Sequence, residues 1–410
     1  MNDESSKFLK LTNIEQLMPQ EETLEYAPKK NQIIIGIPKD PSINENRIPL
    51  VPEAVNLLVE NGNTVIIEDG AGEGAKFSNE QFADVGANIV SSANEIYQSD
   101  IILKVAPPLE QELEMIGNNK VLLSSLFLPN SKKSFFTKLI SKKATAIAYE
   151  YIHDKSGALP VMKSISEIVG NSVILIASKY LMSNKYGKGK LLGGVPGISP
   201  AEIVIIGAGT VAEYAARTAI SMGASVKIFD NSIYKLSSIQ NKIGFNVPTS
   251  TLHSNSLKTA LKQADVVISA KFTSNGISPF IISEEMVSNM EIGSVIIDVS
   301  IDQGGCFETS KATSHDNPVY ISQGVTHYCV PNISSLVPNT ASYSLSNIIT
   351  PMLLQISEYG NTEQMLVHDP HFRKGVYMYN GILTNNNIGS MFGIQSQDLE
   401  LLMAAFGSKY

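Results

Sequence analysis

The stretch Ala201-Glu202-Ile203-Val204-Ile205-Ile206-Gly207-Ala208-Gly209-Thr210-Val211-Ala212 constrains the fold of this chain more than any other. An apolar run ends in a Gly-x-Gly-x-x-Ala turn, and Glu213 to Met222 follows in helical pattern. That order reads as strand, tight turn, helix. Gly207 permits the turn, Gly209 lets backbone approach a pyrophosphate, and small Ala212 lets helix and strand pack closely. Free N–H groups at the helix N-terminus are placed to hold phosphates. A second strand, Ser225 to Phe229, ends at Asp230, 23 residues beyond Gly207, where a carboxylate accepts from an adenosine ribose 2′-hydroxyl. A glycine fingerprint alone also describes a plain strand–helix turn. With strand, helix, second strand and terminal acid in order, it points to NAD-type binding. Asp230 favours NAD over NADP, because a carboxylate repels a 2′-phosphate.

A chain of 410 residues is long for one core, so two or three domains are expected. Hydrophobic content of 43% and charged content of 17% describe an ordinary globular protein. The formal charge of −8 argues against a nucleic-acid partner, and the pairs Lys132-Lys133 and Lys142-Lys143 read as solvated faces. Cys306 and Cys329 make no disulfide framework and lack metal-ligand spacing. Met1 to Phe8 carries no signal-peptide apolar region. The longest apolar segment, Ile168 to Met182, is broken by Asn171, Ser172, Ser178 and Lys179, and reads as too short and polar to span a bilayer. The expectation is a cytoplasmic protein with no membrane partner and no metal.

Along the chain, residues 1–30 form an N-terminal extension, with a capping box at Thr12-Asn13-Ile14-Glu15. Buried strands are expected at Ile33–Ile37, Thr64–Glu68, Ile101–Val105, Val121–Phe127 and Thr145–Tyr149, with helix over Pro52–Asn61. A second block opens with a long helix from about Val161 to Ser183. It continues through the dinucleotide unit to strands at Val266–Ala270, Val295–Asp302 and His327–Val330. From Pro338 the pattern is helical again to about Tyr359. The alternation implies an α/β protein of two Rossmann-like, doubly wound parallel-sheet domains with a ligand cleft between them. Residues 31–160 and 338–410 would form the substrate domain, and 161–337 the NAD-binding domain.

Residues 33 to about 405 resemble the alanine dehydrogenase and transhydrogenase alpha-subunit family. The resemblance rests on IGIPKDPSINENRIPLVPEAV, EDGAGEGAKFS, AYEYI, LLGGVPGISPAEIVIIGAGTVA, IIDVSIDQGGCFETSKATSHDNPVY and HYCVPNISSLVPNTASYSLSN. The IDQGGCFETS and HYCVPN stretches resemble alanine dehydrogenase more than the transhydrogenase subunit. The resemblance implies NAD-dependent oxidative deamination of L-alanine to pyruvate and ammonia, by homo-oligomers that are commonly hexamers. It implies that Arg47, in Asn44-Glu45-Asn46-Arg47, holds the substrate carboxylate, a task suited to a planar fork. It places Asp302 beside nicotinamide and substrate as the catalytic group. Asn332 contacts both, Lys235 is a further cofactor contact, and Ser166 is a phosphate-side serine.

Two positions depart from the family pattern. The enzymes carry a K-V-K-E-P run whose second lysine binds the carbonyl or carboxylate; here Lys104-Val105-Ala106-Pro107-Pro108 puts Ala106 there. They also carry an acid/base histidine in an L-H-L strand end, where this chain has Leu126-Phe127-Leu128. Lys104 shares a strand face with Ala106, so its stem could reach the carboxylate site or serve the fold. His153 reads as an exposed loop residue, and His327 as a satisfied core histidine. The bland alternatives stay open: Arg47 pairing with Glu45 or Glu53, Asp302 capping a turn, Asn332 bonding a loop backbone. Three functions are compatible with these residues: an alanine dehydrogenase-type oxidoreductase, a transhydrogenase-like hydride-transfer domain, or a non-catalytic NAD-binding homologue.

Overall fold

The computed structural model describes residues 32–407 apart from 43, 127–130 and 272–279. The N-terminal extension and Phe127 therefore lie outside the described residues. Two sheets carry the fold. The first contains β1 (Ile34–Ile37), β2 (Thr64–Glu68), β3 (Asn88–Val90), β4 (Ile101–Leu103), β5 (Val121–Ser124) and β6 (Thr145–Ala148). The second contains β7 (Glu202–Ile206), β8 (Ser225–Phe229), β9 (Thr249–Ser250), β10 (Val266–Ser269), β11 (Val295–Asp298), β12 (Val319–Ser322) and β13 (Val325–Tyr328). Late in the chain β14 (Val376–Tyr379) and β15 (Ile382–Leu383) join the first sheet. The strand orders are β15-β14-β6-β5-β4-β1-β2-β3 and β12-β13-β11-β10-β7-β8-β9.

Both orders reverse direction at their first strand: β1 lies between β2 and β4, and β7 between β8 and β10. Such switch points leave a crevice beyond the carboxyl ends of the strands, where ligands of open α/β sheets bind. Residues following β1, β4, β7 and β10 are thus placed at two crevices by topology alone.

The sheets are mixed rather than wholly parallel. β12 pairs antiparallel with β13, and β14 pairs antiparallel with both β6 and β15. Each of the two hairpins turns on two residues of positive φ, Gln323-Gly324 and Asn380-Gly381, the geometry that matches strand twist. The expected strand over Val295–Asp302 is also shorter. It stops at Asp298, and Val299–Gln303 forms a 3₁₀ turn because the Asp298 carboxylate accepts from Ser300 N and Cys306 N. The strand expected at His327–Val330 runs instead over Val325–Tyr328.

Four helices position the crevices: α1 (Pro52–Glu60), α2 (Pro160–Leu181), α3 (Thr210–Ser221) and α4 (Pro338–Tyr359). At 22 residues α2 is long and apolar enough to cross a membrane by composition, which the shorter reading of Ile168 to Met182 missed. Its Val169, Val173, Ile174 and Ala177 are buried with Ile203, Ile205, Ala212 and Ala215 under the second sheet, the arrangement of a core helix. Gly170 makes that contact possible: a Cβ there would meet Val211 O at 2.7 Å. Helix α4 returns the chain to the first sheet, burying Leu345, Ile349 and Leu353 with Ile35, Val65 and Leu103.

Candidate active site

Beyond the carboxyl ends of β1 and β4 lies a cavity of about 260 Å³, lined among others by Asp40, Glu45, Arg47, Gly74, Lys104 and Val105. The 44–47 turn that carries Arg47 is held from several sides. Asn46 N donates to Ser335 Oγ at 2.8 Å, Ile48 N to Ser342 Oγ at 2.9 Å and Val51 N to Ser346 Oγ at 3.2 Å. Ser342 and Ser346, four apart, lie on one face of α4. The 70–76 loop closes on the same turn, since a Cβ at Gly74 would meet Asn46 O at 2.7 Å. Gly74 of EDGAGEGAKFS therefore serves the close approach of this loop to the Arg47 turn.

Arg47 is buried and paired with Glu45, Nε to Oε1 at 2.7 Å and Nη2 to Oε2 at 2.6 Å; Nη1 donates to Ser334 Oγ at 2.9 Å. A guanidinium has five N–H donors. One N–H on Nη1 and one on Nη2 remain, a pair able to receive a carboxylate. The Arg47 cation holds the Glu45 carboxyl below its ordinary range despite burial. Glu53 instead accepts from Tyr343 Oη at 2.9 Å.

Asn332 closes the seam from the second unit. It adopts a left-handed conformation, φ 60°, directly before a 3₁₀ turn over Ile333–Leu336. Its Nδ2 donates to Asn44 O at 3.0 Å and Glu45 Oε2 at 2.9 Å, and its Oδ1 accepts from Ser334 Oγ at 3.2 Å. Two of the bland alternatives are thus realised, and they build the site rather than empty it. Glu45, Arg47, Asn332 and Ser334 form one hydrogen-bonded unit across the seam.

Asp302 sits in the 3₁₀ turn after β11, with Oδ1 shielded from solvent and without a hydrogen-bond partner among the described residues. Burial raises its carboxyl to about 7, against the opposing pull of the Asn332 backbone and Arg47. The turn is folded by Asp298, which also accepts from Ser310 Oγ at 2.5 Å, and by Gly304 and Gly305 at φ 99° and 89°. A carboxyl that titrates near neutrality can both take and return a proton at working pH.

Lys104 is wholly buried: Nζ lies 2.7 Å from Glu112 Oε1 and 3.3 Å from Asp40 Oδ2. Glu112 also accepts from Leu109 N at 2.7 Å and from Tyr97 Oη. The ammonium is committed to these two carboxylates while bordering the cavity. Ala106 follows directly, on backbone anchored at Val105 O by Ser125 Oγ at 2.8 Å and by Tyr149 Oη.

At the second crevice Gly207 has φ 106°, and a Cβ there would meet Ala270 O at 2.6 Å. Among the described residues nothing lies within 4 Å of a Cβ built at Gly209, so backbone there is open to a ligand. Asp230 is aimed at this turn, with Oδ2 accepting from Ala208 N at 3.0 Å and Oδ1 from Ser232 N at 2.8 Å. Ala212 is fully buried at the start of α3. Ser166 lies one helical turn before Gly170 on α2, on the face that meets α3. Lys235 is exposed on the helix after β8, its N–H bonded to Ser232 Oγ at 3.3 Å. An open glycine turn, a helix N-terminus and an acid at the next strand end are the parts a dinucleotide requires, and these residues fit one.

His327 is buried, bonded to Thr309 Oγ1 at 2.8 Å and Val325 O at 3.0 Å, a satisfied core histidine. His153 is on a surface loop, bonded to Tyr151 O at 2.9 Å. Sequence reasoning named Glu45 only as a pairing partner for Arg47 and passed over Ser334 and Asp298. Glu45 and Ser334 each stand two residues from a residue singled out, the spacing at which a turn side chain bonds its neighbour.

Two family models cover most of the chain. The N-terminal domain of alanine dehydrogenase/PNT matches residues 36–169, and its C-terminal domain matches residues 173–386. The chain belongs to the alanine dehydrogenase/PNT family. An alanine dehydrogenase of Methanococcus maripaludis is 39% identical over 86% of this chain and 94% of that protein. One from Mycolicibacterium smegmatis is 35% identical over 91% of this chain and 100% of that protein. A solved L-alanine dehydrogenase superposes with a TM-score of 0.82 at 34% identity, covering 88% of this chain and 99% of its own. A transhydrogenase from Sinorhizobium meliloti shares the fold, with a TM-score of 0.72 at 21% identity over 85% of this chain and 98% of its own. The family resemblance read from the sequence is confirmed.

Proposed function

We propose that this chain is an NAD-dependent dehydrogenase that interconverts L-alanine with pyruvate and ammonia. The observation that carries the reading is the seam itself. Arg47 keeps two uncommitted N–H donors for a carboxylate, and Asp302 presents a shielded, unpartnered carboxyl oxygen on the opposite unit. Relatives named alanine dehydrogenase over nearly their whole length support the same conclusion. The 34–148 and 376–383 sheet holds the amino acid, and the 202–328 sheet holds the cofactor.

Gly207, Gly209 and the N-terminus of α3 receive the pyrophosphate, Asp230 the adenosine ribose, with Ser166 and Lys235 at its margins. A bound NAD would supply the hydride acceptor for the Cα hydrogen. Arg47 fixes the carboxylate, which orients Cα and nitrogen. Asn332 sets the Glu45 carboxylate and so keeps the Arg47 fork pointed across the cavity. Lys104 borders the same cavity, its ammonium spent on Asp40 and Glu112. Asp302 carries the proton exchange that water addition and ammonia release require, in place of the histidine replaced by Phe127. Ala106 resembles the transhydrogenase subunit at one position, whereas Arg47, Asp302 and Asn332 together favour amino-acid chemistry.

By family resemblance the protein works as a cytoplasmic homo-oligomer, a hexamer. Leu175 on α2 and Met182 just past its end support subunit packing, standing 60% and 46% exposed. The test is initial rates of NADH formation with NAD and a panel of amino acids. Saturable turnover with L-alanine above the others is expected. Tight NAD binding with no turnover on any amino acid would overturn the reading.

A further inference from the structure

One group at the seam has no place in this scheme. His315 lies on the loop between Gly305 and β12, and its N–H donates to Asn44 Oδ1 at 3.2 Å, in the turn that carries Arg47. Both of its ring nitrogens are shielded from solvent and, among the described residues, make no hydrogen bond of good geometry, with the Asn332 backbone the polar group that acts most on the ring. Leaving a buried polar group unpaired costs about 1–3 kcal/mol, so such a group is commonly one that a ligand completes. The charges that face the ring are Glu45 and Arg47 on the turn it crosses to and Asp316 on its own loop; the Asn332 backbone lies alongside. His315 is thus aimed at the unit that binds the carboxylate.

We propose that His315 is a second proton-exchanging group of the cleft, one that hydrogen-bonds the bound amino or oxo acid and takes up a proton from it. This rests on the dehydrogenase reading above. In the free protein burial holds the imidazole below its ordinary range, with Arg47 pushing the same way and the Asn332 backbone, Glu45 and Asp316 opposing. It is therefore neutral at pH 7 and able to act as a base. In the deamination direction one ammonium N–H bond breaks, its electron pair stays on nitrogen, and the proton forms the new bond to the imidazole. The amine is then free to assist hydride departure from Cα. When an oxo acid binds instead, its carboxylate cancels the Arg47 charge and adds an anion nearby. Both changes favour the imidazolium, so binding draws a proton from solvent.

The test is calorimetry of pyruvate binding to the NADH complex at pH 7, in two buffers of different ionisation enthalpy. Wild-type protein should take up a fraction of a proton per site. His315→Gln should lose most of that uptake and weaken pyruvate about tenfold, with NADH affinity unchanged. Asp302→Asn should retain the His315 share. Equal uptake in His315→Gln and wild type, with pyruvate still bound, would overturn the proposal and leave the dehydrogenase reading standing. Wild type that binds NADH but no pyruvate would overturn both. Should His315→Gln fail to bind NADH, the imidazole resonances of wild-type His315 decide: movement toward the protonated form on adding pyruvate is expected, and no movement overturns the proposal.

Discussion

Replacing Arg47 with Lys keeps the positive charge and removes the fork. Lysine offers three donors on one atom, whereas Arg47 spends three N–H groups on Glu45 and Ser334 and keeps two for substrate. The buried Glu45 carboxylate, which Asn332 Nδ2 alone would not neutralise, will hold the ammonium in place of the guanidinium. A hydrogen bond to a charged group contributes about 1.5–3 kcal/mol, so losing one or both substrate contacts costs about 1.5–6 kcal/mol. At 1.36 kcal/mol per decade that is about 10- to 10⁴-fold in kcat/KM for L-alanine. Because the carboxylate is bound in ground and transition states alike, much of the loss should fall on KM. The assay is initial-rate NADH formation at varied L-alanine, with calorimetric NAD affinity as the control. A kcat/KM within about threefold of wild type would refute the carboxylate role.

Further outcomes follow from the same geometry. Asp302 is held protonated by burial, to about 7 from an ordinary 3.8, so deamination should rise with pH through that value, and Asp302→Asn should lose the limb and about 10²–10⁴-fold in kcat. An acid whose carboxyl is raised on folding binds more protons folded than unfolded, so it destabilises the protein as pH climbs from about 4 to 7. Asp302→Asn should therefore raise the thermal midpoint at pH 8 more than at pH 4, a trade of stability for activity that calorimetric scans will reveal. Asp230→Ala should weaken NAD about tenfold or more without moving the alanine KM; unchanged NAD affinity would sink the ribose assignment. Ala106→Lys with Phe127→His should raise alanine turnover, and no gain would indicate a different substrate preference.

Much of this architecture was legible in residue pattern. The Gly-x-Gly-x-x-Ala turn between an apolar run and a helix, followed by a second strand ending at Asp230, marked the second crevice. Apolar runs such as Thr64–Glu68 located strands to the residue. What went unread is instructive. Tyr377-Met378-Tyr379-Asn380-Gly381-Ile382-Leu383 carries an Asn-Gly hairpin signal, passed over beside the expected parallel pattern, and it makes the antiparallel edge of the first sheet. The run to Asp302 looks like uninterrupted strand, yet Asp298 caps its own chain and turns it. That turn, invisible to periodicity, is what brings Asp302 to the seam. His315 carried no sequence signal at all, since only the folded loop shows its ring shielded and unpartnered. Arg47 and Glu45 show that a structural pairing and a binding role can share one side chain.

The most direct test of the central claim uses L-alanine deuterated at Cα, with the purified protein and NAD. The account predicts NADH that carries the deuterium, formed in equal amount with pyruvate and ammonia. NAD bound tightly with no deuterium transferred would contradict it.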